Sequence, residues 1–197
     1  MQFKMIAVTM LGFALSFTAT AQELTAEEQA YLTALEAELP GSLMNNPLDP
    51  GFTTFGDDVR TRVVEVPELP GGYAYQAKVR RAKPRPWDIS ISTNVTGDVS
   101  VGDSVAVAFW ARAKDPDRDT GVGHIQVRLQ QSASPYAGVV EQMLEIGSDW
   151  QLYEIKGVSA HSFSGNQMSL VFNIGDHKQT VEIGQYFILN LGAGAPA

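Results

Sequence analysis

Residues 101–114, VGDSVAVAFWARAK, constrain the fold more than any other stretch of the chain. After a turn at Gly102-Asp103, Val105, Val107, Phe109 and Ala111 fall on one side of an extended backbone. Ala106, Ala108, Trp110 and Arg112 fall on the other. Period-two alternation with one wholly apolar face is the mark of a strand that covers a core. The second face ends in an indole followed by a guanidinium, groups that neither strand propensity nor core packing requires.

Shorter runs with the same alternation flank this one and predict strands over 59–66, 73–80, 87–93, 124–130, 139–146, 150–157, 168–174 and 181–191, with a bulge at Gly184-Gln185. Gly, Pro, Asp, Ser and Asn separate them, and no helix intervenes to build a parallel sheet. The pattern therefore predicts an all-β domain, a β-sandwich jelly roll of two antiparallel sheets. One helix precedes it, over 24–39, where Thr25 and Glu28 form a capping box and Pro40-Gly41 stops the turn. Its narrow stripe of Leu32, Leu35 and Leu39 either covers an edge of the sandwich or belongs to a spacer.

Lys4, an apolar run over 5–17 and the small residues Ala19-Thr20-Ala21 have the form of a secretory signal peptide. The division expected is a leader over 1–21, the helix over 22–40, a jelly roll over 41–192 and a flexible tail over 193–197. The protein is expected outside the cytoplasm, periplasmic or extracellular. No later stretch is long and apolar enough to span a bilayer. With no cysteine, thiol catalysis, disulfides and thiolate metal sites are excluded. Against 22 acidic residues stand 14 basic ones, a formal charge of −8, which disfavours nucleic acid as a partner.

Sugar recognition on a sheet needs flat apolar faces for C–H groups and planar side chains that bond hydroxyls. Trp110, Arg112, Gln126, Arg128 and Gln130 supply such groups on the non-core sides of two runs expected to be neighbours. Trp87, at a loop–strand border beside Arg85, and Tyr136, in a loop, are the further candidates for ligand binding. The bland alternatives are that Trp110 packs under a loop and that the polar residues form a solvated face. His124, His161 and His177 show none of the spacings of a transition-metal site. Asp115, Asp117 and Asp119 begin like a calcium loop, but Gln126 stands where its closing glutamate belongs.

GDSVAVAFWARA, then HIQVRLQ, then Trp150-Gln151-Leu152-Tyr153-Glu154 and finally VEIGQYFILNLG occur in that order. This ordered set resembles the carbohydrate-binding modules of the family 4/9/16/22 type, galactose-binding-like β-jelly rolls, over roughly residues 71–192. The resemblance implies a non-catalytic glycan-binding domain that accompanies polysaccharide-degrading enzymes. It also implies a structural calcium near the last strand, for which Asp49, Asp176 and Glu182 are the available carboxylates. Two other classes stay open: a small secreted lyase or glycosidase, and a structural or assembly protein that docks through its helix. N-terminal sequencing of the exported protein should begin at or within a few residues of Gln22, and an intact Met1 would refute export with processing.

Overall fold

The computed structural model describes residues 25–49 and 51–195; the expected leader lies outside them. The Thr25 hydroxyl accepts from the Glu28 amide, closing the expected capping box, and α1 (Ala26–Glu38) follows. Of its leucine stripe, Leu35 is buried, whereas Leu32 and Leu39 are half-buried. Two short strands come next, β1 (Ser42–Leu43) and β2 (Thr53–Phe55), in a stretch whose Pro and Gly predict an irregular loop. At two and three residues, neither is long enough to show an alternation.

The remaining strands are β3 (Val59–Glu65), β4 (Tyr73–Val79), β5 (Ser90–Val95), β6 (Asp103–Asp115), β7 (Gly123–Gln131), β8 (Gly138–Ile146), β9 (Gln151–Val158), β10 (Met168–Asn173) and β11 (Thr180–Ala193). A 3-10 turn, Pro86–Asp88, occupies the start of the run that predicts a strand from Trp87. The strands form two antiparallel sheets, a sandwich with one N-terminal helix. Sheet one runs β3-β4-β11-β6-β9, with β1 also on β11; sheet two runs β2-β5-β10-β7-β8. Consecutive strands β6 and β7 thus lie in different sheets.

β6 and β11 pair along nearly their whole length, from Asp103↔Ala193 to Asp115↔Thr180. On its other side β11 is covered in two pieces, by β4 over residues 180–183 and by β1 at Leu189 and Asn190. Between them the Asn45 side chain substitutes for a strand. Its Nδ2 donates to the Tyr186 carbonyl at 3.1 Å, and its Oδ1 accepts from the Ile188 amide at 2.7 Å. The expected bulge is present, as a register shift between Ile183 and Tyr186.

Alternation delivers the core. Val105, Val107, Phe109 and Ala111 from one sheet meet Ile125, Val127, Leu129, Leu170 and Phe172 from the other, all fully buried. Phe109 and Phe172 meet edge to face at 5.0 Å between centroids, and Phe109 stacks on Tyr153 at 5.8 Å. Where β3 starts beside the end of β4, Lys83, Arg80 and Arg81 converge on Asp58 at 2.9, 3.7 and 3.9 Å. The hydrogen bond from Lys83, with the charges of Lys83, Arg81 and Arg80, holds the Asp58 carboxyl below its ordinary pKa.

Two outcomes follow. Phe109→Ala should lower the unfolding free energy by about 3–5 kcal/mol in urea titrations, through lost burial and the cavity left behind. Because the folded pKa of Asp58 is depressed, its contribution is present above the unfolded value and is lost as pH falls through the folded one. The stability gap between the wild type and Asp58→Asn, measured by thermal melting, should therefore close as pH drops below about 4.

Candidate functional site

The outer face of sheet two is built from residues that alternate with the core. On β7 these are His124, Gln126, Arg128 and Gln130; on β10 Ser169, Val171 and Asn173; on β5 Ser90, Ser92 and Asn94. Antiparallel register sets them in rows. Ser90, Asn173, Gln126 and Met143 form one row; Ser92, Val171, Arg128 and Glu141 the next; Asn94, Ser169, Gln130 and Gly138 the third. From Gln126 to Gln130 the face extends roughly 13 Å, at about 3.3 Å per residue.

A polar chain crosses it. Asn173 Nδ2 donates to Gln126 Oε1 at 2.9 Å, and Gln126 Nε2 donates to Glu141 Oε1 at 2.7 Å. Arg128 Nε lies 3.2 Å from Glu141 Oε2, and Arg128 Nη2 reaches the Tyr136 carbonyl at 3.5 Å. Each member is held by the next, with Asn173 and Gln126 buried and Glu141 half-exposed. Gln130 Oε1 is buried with no partner.

Aromatic side chains stand at both ends. Tyr136, 50% exposed, sits in the β7–β8 turn beyond Gln130, with a φ of 57° that a bulky side chain rarely adopts. At the opposite end Phe55, 66% exposed, stands beside Ser90. Trp87, 48% exposed, precedes β5 at that same end, with the Arg85 guanidinium 5.5 Å from its ring centroid.

Trp110 and Arg112 are elsewhere, which corrects the expectation that they share a face with Gln126, Arg128 and Gln130. Side-chain parity separates core from non-core, but a sandwich has two non-core faces that point in opposite directions, and β6 belongs to sheet one. Trp110 is half-buried with Val64, Val66, Leu69, Ala74 and Trp150 in a small second apolar cluster. The turn over 67–72 folds Leu69 onto it, and Gly184 leaves the room: a Cβ there would come within 2.7 Å of Leu69 Cδ1 and 3.1 Å of Trp110 Cβ. Arg112 Nε donates to Glu182 Oε2 at 2.6 Å, Gln76 Nε2 donates to Glu182 Oε1 at 2.6 Å, and Arg62 Nε donates to Gln76 Oε1 at 2.9 Å. The guanidinium lies 4.6 Å from the Trp150 ring centroid. Glu182 is 2% exposed, so the carboxylate of this pair is buried while its arginine is part-exposed.

Among the described residues no three His, Asp or Glu side chains converge into a metal-binding group. Asp115, Asp117 and Asp119 do not form one, and Glu182 is engaged by Arg112. Separation in sequence does hide one meeting: His124 and His177 stack at 3.8 Å with ring planes 16° apart. Their in-plane lone pairs run side by side and do not point at a common ion. His124 Nε2 instead meets Thr120 Oγ1 at 2.8 Å. Asn173, Glu141, Phe55 and Met143 complete the face and escape the sequence reading. For Asn173 a usable signal exists, since it alternates with Leu170-side core residues on β10; for Phe55, on a three-residue strand, there is none.

The two arginines should behave oppositely. Arg112→Ala leaves the buried Glu182 carboxylate with Gln76 but no opposite charge and should cost about 3–5 kcal/mol of stability, whereas Arg128→Ala, facing a half-exposed Glu141, should cost about 0–1 kcal/mol; urea denaturation of both variants tests this.

No protein-family model matches the chain, and no curated protein matches it in sequence. Solved structures do resemble its fold. An arabinose-bound MgGH51 α-L-arabinofuranosidase is matched over 77% of this chain with a TM-score of 0.58 and 11% identity, and this chain spans only 26% of that enzyme. The CBM22-1 xylan-binding domain of Paenibacillus barcinonensis Xyn10C matches over 78% of this chain and 97% of its own, with a TM-score of 0.54 and 12% identity. The second N-terminal cellulose-binding domain of Cellulomonas fimi β-1,4-glucanase C matches over 80% of this chain and 94% of its own, with a TM-score of 0.54 and 19% identity. The chain thus shares the jelly-roll fold of carbohydrate-binding modules.

Proposed function

We propose that this domain binds a glycan, without cleaving it, on the outer face of sheet two. The observation that carries the reading is the pre-ordered chain Asn173–Gln126–Glu141–Arg128, bracketed by exposed aromatic side chains at both ends. Planar amides and a guanidinium present donors and acceptors at fixed angles, as hydroxyl recognition needs. The unpartnered Gln130 Oε1 is an acceptor ready for a sugar hydroxyl. Tyr136, Trp87 and Phe55 offer apolar faces against which pyranose C–H groups can lie. Glu141 is engaged by Gln126 and Arg128 and serves to position them, in contrast to the pair of carboxylates that flank a scissile bond in glycosidases.

Xylan and cellulose are the first ligands to try, since domains of the same fold are named for binding them. The leader read from the sequence would carry the domain out of the cytoplasm, where a polysaccharide-degrading enzyme is the partner this reading proposes. Affinity should be modest, micromolar to millimolar, because a short sugar gains few apolar contacts and many hydroxyls must be desolvated.

Calorimetry against a panel of neutral polysaccharides tests the reading. Tyr136→Ala and Arg128→Ala, each folded by circular dichroism, should weaken binding about tenfold or more, while Arg62→Ala on sheet one should not. No reducing ends should appear on prolonged incubation. Equal binding by all three variants would place the ligand elsewhere, and release of reducing ends would establish an enzyme.

A further inference from the structure

We propose a second ligand site on the opposite sheet: a cleft where β4, β6 and β11 end together, which takes the carboxylate of a uronic-acid-bearing glycan. It shares with the preceding reading only the premise that the ligand is a glycan. The cleft has a volume of about 750 Å³, and Lys78, Lys114, Arg118, Lys178 and Thr180 line it.

Strand register gathers these groups. On β11, Thr180 is flanked by Lys78 of β4 on one side and by Asp115 of β6 on the other. The next pair is Val181 with Ala113, so Lys114 is an extra residue in β6, a bulge. A bulge breaks the in-and-out alternation and re-aims side chains at a strand end. Here it leaves Lys114 and Asp115, consecutive residues, both exposed at the cleft. The loop after β6 brings in Arg118, and Lys178 comes from the residues just before β11.

The charges are uncommitted. Arg80, Arg81 and Lys83 meet Asp58, Arg85 meets Asp88, Arg112 meets Glu182, Arg128 meets Glu141 and Lys156 meets Glu154. Among the described residues, only Arg60, Arg62 and the four cleft cations make no ion pair with a carboxylate. In a chain with an excess of acids, four free cations around one hollow mark a place that attracts an anion. Beneath them Thr180 is 2% exposed and its hydroxyl has no partner. A buried hydroxyl left unbonded is costly, and an oxygen of a bound carboxylate would accept from it.

The acids of the same cleft narrow the ligand. Asp117 is used locally, its Oδ1 accepting from the amides of Asp119 and Thr120 at 2.9 and 3.3 Å. Asp115 and Asp119 remain exposed at the rim. They repel a doubly charged phosphate, but they accept hydrogen bonds from neutral hydroxyls. One carboxylate on a polyhydroxylated ring satisfies both halves of the lining.

Calorimetry with polygalacturonate, repeated with inorganic phosphate and with neutral xylan, tests the site. The variants are Lys78→Gln with Lys178→Gln, Thr180→Val, and a charge-matched control, Arg81→Gln with Lys156→Gln, all checked for folding by circular dichroism. The cleft pair should weaken polygalacturonate binding about tenfold or more, Thr180→Val should weaken it less, and the control should bind like wild type. Neutral xylan binding, a property of the other sheet, should be the same in all four proteins. Loss to the same extent in the control would mean non-specific charge attraction and would overturn the site. Retained binding in the cleft pair, tighter binding of phosphate than of polygalacturonate, or no polygalacturonate binding by wild type would each overturn it too. Failure of xylan binding alone would count against the sheet-two reading and leave this one standing.

Discussion

The antiparallel pairing of β6 with β11 is the interaction on which the rest of the domain depends. These are the longest strands, at thirteen and fourteen residues, and they lie side by side through almost all of both. Their inward faces supply Val105, Val107, Phe109, Val181, Ile183 and Ile188 to the shared core. Their outward faces supply Arg112 and Glu182, the ion pair whose carboxylate is buried on sheet one. Every other strand of that sheet is placed by reference to this pair, and sheet two packs onto the surface it creates.

The two outer faces solve the same physical problem differently. On sheet one the polar groups are withdrawn from water: Glu182 is buried, Arg112 is stacked under Trp150, and Leu69 closes over Trp110. Such a face is expensive to disturb, because removing one partner leaves a desolvated charge. On sheet two the polar chain starts from buried Asn173 and Gln126 and reaches the surface at Glu141, half-exposed like Tyr136. An indole and a guanidinium two residues apart on one strand face can thus be structural, while the spaced polar residues of β7 range from a buried Gln126 to a part-exposed Arg128 and Gln130.

The strands could be read from the chain because alternation is a local property. Ile125, Val127 and Leu129 against Gln126, Arg128 and Gln130 needs only one strand to be seen. Sheet membership is not local: nothing within β6 or β7 says whether the next strand hydrogen-bonds beside it or crosses to the opposite layer. That missing information put Trp110 and Arg112 with the wrong partners. Asn173, His177 and Glu182 acquire their roles from residues distant in sequence, Gln126, His124 and Arg112. Strands of two or three residues, such as those carrying Leu43 and Phe55, fall below the length at which any period is visible.

The patchwork cover of β11 has a consequence for how this domain can be joined to other chains. Its C-terminal half is shielded on one side by two residues of β1 and one asparagine side chain. Trimmed of residues 42–45, a long apolar strand would show unpaired amides and carbonyls to any passing β-segment, including the same strand of a second copy. The peptide that leads into the sandwich therefore covers an edge that would otherwise be open. A fusion or proteolytic cut placed after it, however well it spared the core, would leave that strand edge open to such pairing.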